Sequence, residues 1–587
     1  MPYSVYLYVA VVPNRNSPPA ILLRQSFREN GKVHNRTIAN LSHWAPARVD
    51  ALRSVLKGAT AVGAPLPQAF DIVRSRPHGN VAAVLGTLYK LHLDRLFDKQ
   101  ADRNRDLVLA MIVARVLEPA SKLATARALH PDTLSSTLGE LLHLDSLTED
   151  ELYQAMDWLL PQQARIEKAL AKRHLAEGSV VLYDLTSTYF EGRHCPLGKP
   201  GHSRDDQKGK LQVVFGLMTN ANGCPVAVEV YAGNTSDPKT VSDQVTKLRQ
   251  RFGLQRVILV GDRGMITSAR LRENLQPAPG IEWITALRAP AIQKLASDGV
   301  LQLSLFDSRD LAEITHPDFP GERLVACYNP LLAEQRARKR PELLAATEKE
   351  LEKIAVATRR QKRPLRGKQN IGLRAGKVWN RYKMGKHFQV QIEDDSFTYK
   401  RKQANIDKEE SLDGIYVIRT NVPAAVLSSE QAVRNYKSLS GVERAFRSLK
   451  TVDLNVRPIH HRQPDRVRAH IFLCMLAYYV EWHMRQDLAP LLFDDEDKTA
   501  AEKLRPSVVA PAQRSTAAQT KAHSKRTPDD LPVHSFQTLL GDLATIVSNR
   551  VLPKDASTPA FDIITLPTAL QQRALDLLQV TIKPPTA

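Results

Sequence analysis

The chain has 587 residues, 43% of them hydrophobic, with 82 Lys and Arg against 62 Asp and Glu and a net charge of +20. That length exceeds one ordinary domain, the apolar share suffices for packed cores, and the charge favours a polyanionic partner, leaving DNA, RNA and anionic membrane open. The scattered Cys195, Cys224, Cys327 and Cys474, with no C-x-x-C pair, argue against a disulfide framework and a structural zinc site and suit a reducing cytosol.

Met1-Pro2-Tyr3 lacks the basic start of a secretory signal. Residues 1–60 read as a small β unit plus one helix: Ser4–Val12 and Ile21–Phe27 alternate as strands, Asn30-Gly31 marks a hairpin turn, and Ser42 is the expected cap of a helix ending near Leu56. Residues 61–175 read as a helical subdomain and a candidate for DNA binding, with 3–4 spacing in Val81–Leu96, Leu107–Leu117 and Leu152–Leu170. The break at Glu118-Pro119-Ala120-Ser121 could belong to a helix–turn–helix, although any helical subdomain contains similar breaks.

From 179 the rhythm turns to strands: Ser179–Tyr183, Leu211–Thr219, Val226–Tyr231, Val257–Val260 and Ile281–Leu287, with a helix over about Thr240–Phe252. This predicts an α/β domain in two parts, 176–290 and 426–492, interrupted by an insertion over 291–425. Within the insertion, Leu331–Thr358 reads as a charged helix broken at Pro341, followed by the basic run Arg359–Arg363 and short strands. Helical character returns over Ser428–Lys450 and Val467–Met484. The apolar run Ile471–Val480 is far short of the ~20 residues of a membrane span, so it reads as a buried helix in a soluble protein without a membrane partner. Residues 493–587 read as a flexible linker, Asp494–Leu531, and a C-terminal helix from Phe536 to Val547.

Asp184 follows Val180–Tyr183, and Asp262 follows Val257–Gly261. Ligands gather beyond the carboxyl ends of strands in α/β sheets, so the two acids are placed to converge. Phosphodiester cleavage with two Mg²⁺ ions needs hard oxygen ligands that bridge and flank the metals, which calls for a third carboxylate. Asp205, Asp206, Glu229, Asp237 and Glu443 are the candidates, and spacing does not choose among them.

The stretches Tyr183–Gly192 (YDLTSTYFEG) and Gly261–Met265 (GDRGM) resemble the first two acidic blocks of bacterial DDE transposases of the insertion-sequence-4-like superfamily, in its insertion-sequence-1634 branch. Gly201–Asp205 and Gly233–Asp237 are similar to the same branch. The third block of that family reads Tyr, two residues, Arg, three residues, Glu, six residues, Lys; Tyr436, Glu443 and Lys450 match it, and Leu439 stands where the arginine belongs. The resemblance implies a ribonuclease-H-like core with a β-rich insertion before the helix bearing the glutamate. It makes Asp184, Asp262 and Glu443 the catalytic ligands of two Mg²⁺ ions, with Mn²⁺ as a substitute.

It also implies double-stranded DNA as partner, both the terminal inverted repeats and the target, a homodimer holding two ends, and a cytoplasmic, nucleoid-associated location. A cleavage-dead DNA-binding regulator and a two-metal structure-specific nuclease remain alternative readings. Ser440-Gly441-Val442-Glu443 fits a capping box, and so does Ser428–Gln431. If one helix runs from 428, Tyr436, Ser440, Glu443, Arg447 and Lys450 lie along one stripe. Lys450 would then meet a phosphate as a point charge, Tyr436 would donate to one, and Arg447 would replace the missing arginine. Trp379, amid Lys377, Arg381 and Lys383, could stack on an unpaired base or pack in the core of the insertion. Asp205, Asp206, His202 and His460-His461 read as exposed loop polarity.

Overall fold

The computed structural model describes residues 6–582 apart from 16, 30–31, 58–68, 134, 145, 193, 206, 208, 308 and 555–558. The chain divides into two compact units. The first comprises 1–92, 109–152 and 534–587. Strands β1 (Tyr6–Val12), β2 (Ala20–Glu29) and β3 (Lys32–Asn40) form an antiparallel sheet. The expected Asn30-Gly31 turn lies outside the described residues. Ser42 is not the helix cap: its hydroxyl accepts from the Ile21 N–H at 2.9 Å, and the helix starts at Pro46 after Ala45. Proline preset for the first helical turn makes a side-chain cap dispensable there.

A strand also interrupts the region expected to be helical. Strand β4 (Phe70–Pro77) pairs antiparallel with β15 (Val547–Pro553), which pairs with β16 (Phe561–Ile564). The C-terminal region is therefore a sheet partner as well as helices, Phe536–Leu543 and Ala569–Leu578. Helix Gly79–Lys90 approaches these closely, since a Cβ on Gly79 would meet the Leu543 carbonyl oxygen at 2.5 Å.

The second unit comprises 93–108 and 153–533. Its sheet contains β5 (Ser179–Phe190), β6 (Leu211–Asn220), β7 (Pro225–Ala232), β8 (Val257–Val260), β9 (Ile281–Ala286), β10 (Leu311–Ile314), β11 (Arg323–Tyr328) and β14 (Ile415–Thr420). The spatial order is β10-β11-β14-β9-β8-β5-β6-β7. β5, β6 and β7 run antiparallel in succession, whereas β8 is parallel to β5 and β9 parallel to β8. One face of β5 presents Val181, Tyr183 and Leu185 to a core shared with Val245, Leu248, Leu271 and Leu275 from the connecting helices. The segment Ile471–Val480 lies in the buried helix Pro464–Asp487. Among the described residues, no helix is long and apolar enough to cross a membrane.

The segment 291–425 is not a β-rich insertion. Three of its strands, β10, β11 and β14, extend the main sheet, and only β12 (Phe388–Ile392) and β13 (Phe397–Arg401) form a ribbon of their own. Helices Pro330–Arg359 and Lys368–Tyr382 dominate the rest, packing Leu344, Leu351, Ile354 and Ile371 against Phe388 and Phe397. Pro341 does not break the longer helix. Its ring removes one N–H, while buried Arg340, ion-paired with Asp413, and Leu344 hold the turn in place.

Nor is Asp494–Leu531 a flexible linker. It contains helices Lys498–Lys503 and Thr516–Ser524, and Lys437 donates to the Val508 and Val509 carbonyls, both at 2.7 Å. Its Ala- and Ser-rich composition hides buried anchors at Ala501, Val509 and Ala518.

Candidate active site

Main-chain register brings the first two acids together. Leu182 pairs with Val260 across parallel strands β5 and β8; Asp184 and Asp262 each stand two residues further on. β8 ends at Val260, but β5 does not end at Asp184 as its sequence suggests. It continues to Phe190, where Thr186 and Thr188 keep the pleat and β6 supplies the pairing. Asp184 therefore sits beside the end of β8 with backbone support on one side only.

The Asp184 carboxylate accepts from the Leu185 N–H at 2.8 Å. Burial lifts its pKa to about 6; the charges of Asp262 and Glu443 push the same way, while the Leu185 N–H and Arg204 oppose. Asp262 is exposed on a turn, where Oδ2 accepts from the Gly264 N–H at 3.0 Å and Oδ1 from the Tyr436 hydroxyl at 3.3 Å. Burial, and then the Asp262 charge, raise the Tyr436 phenol. Arg288 steadies the turn by donating to the Arg263 and Gly264 carbonyls at 3.2 and 3.3 Å.

Glu443 comes from the other side of the chain. The capping box that forms is Ser428 with Gln431, at the start of helix Ser429–Lys437. After Ser438 a second helix, Leu439–Arg447, begins without a side-chain cap, so Glu443 closes no helix terminus. Val442, Ala445 and Phe446 are buried, and Phe446 meets Phe215 edge-on at 5.6 Å. Phe215 and Leu217 lie opposite Thr186 and Asp184 on paired strands, so this helix packs on the face of the sheet that carries Asp184. Glu443, Arg444 and Arg447 are left exposed.

The stripe expected from one continuous helix is broken. Residues Ser448–Val452 form a wide π turn, and the extra residue per turn rotates Lys450 inward. Lys450 is 8% exposed, its pKa is lowered by burial, and Nζ lies 2.8 Å from Asp205, which also pairs with Arg457 at 2.7 Å. Lys450 is thus engaged with a carboxylate rather than presented to a phosphate. Asp205 is correspondingly no exposed loop acid, its side chain being 4% exposed; Asp206 lies outside the described residues. Trp379 does not stand with the acids either. It packs against the core of the insertion, over Gly385.

Arg204 was missed by sequence reasoning. Its guanidinium lies 2.5 Å from Asp237, and its charge reaches Asp184. Ser187 fixes its backbone, accepting from the Arg204 N–H at 3.0 Å and donating to the His202 carbonyl at 2.9 Å. The signal lay in the two glycine-led blocks. A Cβ on Gly201 would meet the Gly233 carbonyl oxygen at 1.8 Å, so the loops bearing Arg204 and Asp237 pack backbone to backbone. The other acid considered, Glu229, is held by Lys247 at 3.0 Å.

Residues 176–480 match the transposase DDE domain model, and residues 9–65 match the N-terminal domain model of IS1634 family transposases. No curated protein sequence matches the chain. Among solved structures, the piggyBac transposase synaptic complex with hairpin DNA is 10% identical, covering 69% of this chain and 72% of that one at a TM-score of 0.33. The Mos1 transposase paired-end complex with the left transposon end is 15% identical, covering 30% and 62% at a TM-score of 0.14. Both overlays are weak, and the two sequence models carry the assignment.

Proposed function

This chain belongs to the DDE transposases, in the IS1634 family, and we propose that it cleaves the inverted-repeat ends of its own insertion sequence and joins them to target DNA. Water attack at the element end breaks the P–O3′ bond and frees a 3′-OH. That hydroxyl then attacks a target phosphate, forming the new P–O bond and releasing a target 3′-OH. Both displacements use one site, and the convergence of Asp184, Asp262 and Glu443 carries this reading.

Three carboxylates acting on one another, which Arg204 offsets only in part at Asp184, suit a cation, and an all-oxygen donor set suits Mg²⁺, with Mn²⁺ as a substitute. Two such ions held by these acids would activate the attacking oxygen and stabilise the leaving one. The residues around them do the positioning. Tyr436 holds the Asp262 carboxylate by its hydroxyl, and Arg204 offers a guanidinium beside Asp184 that a scissile phosphate can take over from Asp237. Arg447, exposed one turn beyond Glu443, is placed to grip the same strand in lieu of the arginine that Leu439 replaces. We read β7-β6-β5-β8-β9 as the ribonuclease-H-like core, with a dimer holding two ends on nucleoid DNA in the bacterial cytoplasm.

The test is cleavage of a repeat-ended duplex in Mg²⁺ by Asp184→Ala, Asp262→Ala and Glu443→Gln. Each should fall to background while gel-shift affinity stays near wild type. A variant that cuts at the wild-type rate removes that residue from the ligand set. Wild-type protein that binds ends and never cuts would make the chain a regulator instead.

A further inference from the structure

His174 ends helix Gln163–His174, Cys224 stands in the turn between β6 and β7, and His483 lies in helix Pro464–Asp487. Far apart in sequence, they bring two imidazoles and a thiol together, with one ligand atom of each within 4.8 Å of the others. Cys224 is fully buried and both histidines are half-buried. The Tyr479 hydroxyl, 2.8 Å from His174 Nε2, orients that ring, the service a neighbouring polar group gives a liganding histidine. Ring packing accounts for His174, Tyr479 and His483, whose centroids are 4.6–5.5 Å apart. It gives no reason for a thiol to stand within 4.8 Å of a nitrogen of each imidazole.

We infer that His174, Cys224 and His483 bind a zinc-like divalent ion at a site distinct from the three carboxylates. One sulfur and two nitrogens are a borderline-soft set that selects zinc over Mg²⁺. Tetrahedral zinc, with Zn–N about 2.0–2.1 Å and Zn–S about 2.3 Å, sets its ligand atoms roughly 3.3–3.6 Å apart, so contraction by about an ångström closes the site. Water takes the fourth position on the half-open histidine side. Binding deprotonates the Cys224 thiol, the proton leaving to solvent as the metal–sulfur bond forms. The site lies toward the start of β5, before Asp184. Asn220, which begins the turn, pairs with Val181, three residues and about 10 Å before Asp184. Its ion would tie two helices to the β6–β7 turn.

The full-length protein, stripped with chelator and titrated with Co²⁺, tests this. With millimolar Mg²⁺ present to occupy the carboxylates, wild type should develop a thiolate-to-cobalt charge-transfer band in the near ultraviolet that saturates at one equivalent and that Zn²⁺ abolishes by displacement. Cys224→Ser should lose the band, and His483→Gln should weaken cobalt binding at least tenfold. Absence of the band in wild type, or its survival in Cys224→Ser, overturns the site. Should Cys224→Ser fail to fold, unchanged cobalt affinity in the half-exposed His483→Gln overturns it equally.

Discussion

Asp184 and Asp262 reach the site by a different physical route from Glu443. The aspartates are delivered by the hydrogen-bond ladder: once Leu182 faces Val260, two more residues on each strand fix both positions. Glu443 is delivered by side-chain packing, through Val442, Ala445 and Phe446 on a short helix with a break before it at Ser438 and a π turn after it. A ladder leaves little freedom, because a one-residue slip would turn every side chain to the other face. A packed helix can tilt by small adjustments of its contacts. Of the three proposed ligands Glu443 is therefore the adjustable one, and mutations behind it should move chemistry without touching the pair.

The largest test of that contrast is Phe446→Ala. Losing a buried aromatic against Phe215 should cost about 3–5 kcal/mol, seen in urea melts, with cleavage lost as well. The sharper variant is Phe446→Leu, at about 1–2 kcal/mol, which should still lower the cleavage rate in folded protein while end binding holds. If cleavage is untouched there, Glu443 is as rigidly placed as the aspartates.

Next is the support behind the π turn. Lys450→Ala leaves Asp205 buried with Arg457 alone, and removing one partner of a buried pair is costly. A loss of about 2–3 kcal/mol is expected, somewhat below the full value of about 3–5 kcal/mol because one cation remains. A lysine that contacts phosphate would instead weaken DNA binding and leave the melt unchanged.

A smaller effect separates the two aspartates from their surroundings. The Asp184 carboxyl titrates at about 6 when folded, against 3.8 in the open chain, so folding favours its neutral form. The associated stability is present below pH 4 and is lost as pH rises through 6 in chelator-treated protein. At 1.36 kcal/mol per pH unit the ceiling is roughly 3 kcal/mol, and solvent access at this half-buried group reduces the expected loss to about 1–2 kcal/mol. Asp184→Asn should flatten that slope, and urea melts at pH 4.5 and 7.5 check it. The smallest effect is that of Arg447→Ala, where the exposed side chain can vanish without any change in the melt. End binding should weaken up to about tenfold, or ~1.4 kcal/mol, with partial recovery on adding Leu439→Arg; unchanged binding would remove Arg447 from the interface.

What the sequence showed follows the same division. The adjacency of Asp184 and Asp262 was legible because strand runs and a following acid are local patterns, and the Ser428–Gln431 capping box is equally local. Lys450 was misplaced because a single wide turn changes the helical period without any composition signal. Asp205 looked exposed because its partners lie 245 and 252 positions away. Trp379 sat among basic residues in sequence and among apolar ones in space. The His174–Cys224–His483 cluster escaped because metal-ligand spacing is read from neighbours in sequence, and these are gathered only by the fold.

One pairing also sets a clock. β4 meets β15 with Pro77 facing Val547, so 470 residues (547 − 77) must be synthesised between the two halves of one ladder. At roughly 5–20 residues per second, β4 waits about 25–90 s on the ribosome with that edge unpaired. An open edge is a template for unwanted pairing, and the apolar Ile72 and Val73 stand 66% and 57% exposed even in the finished sheet. Newly made chains therefore pass through a vulnerable interval that ends only when β15 emerges, and their yield should depend on how fast the stretch before it is translated.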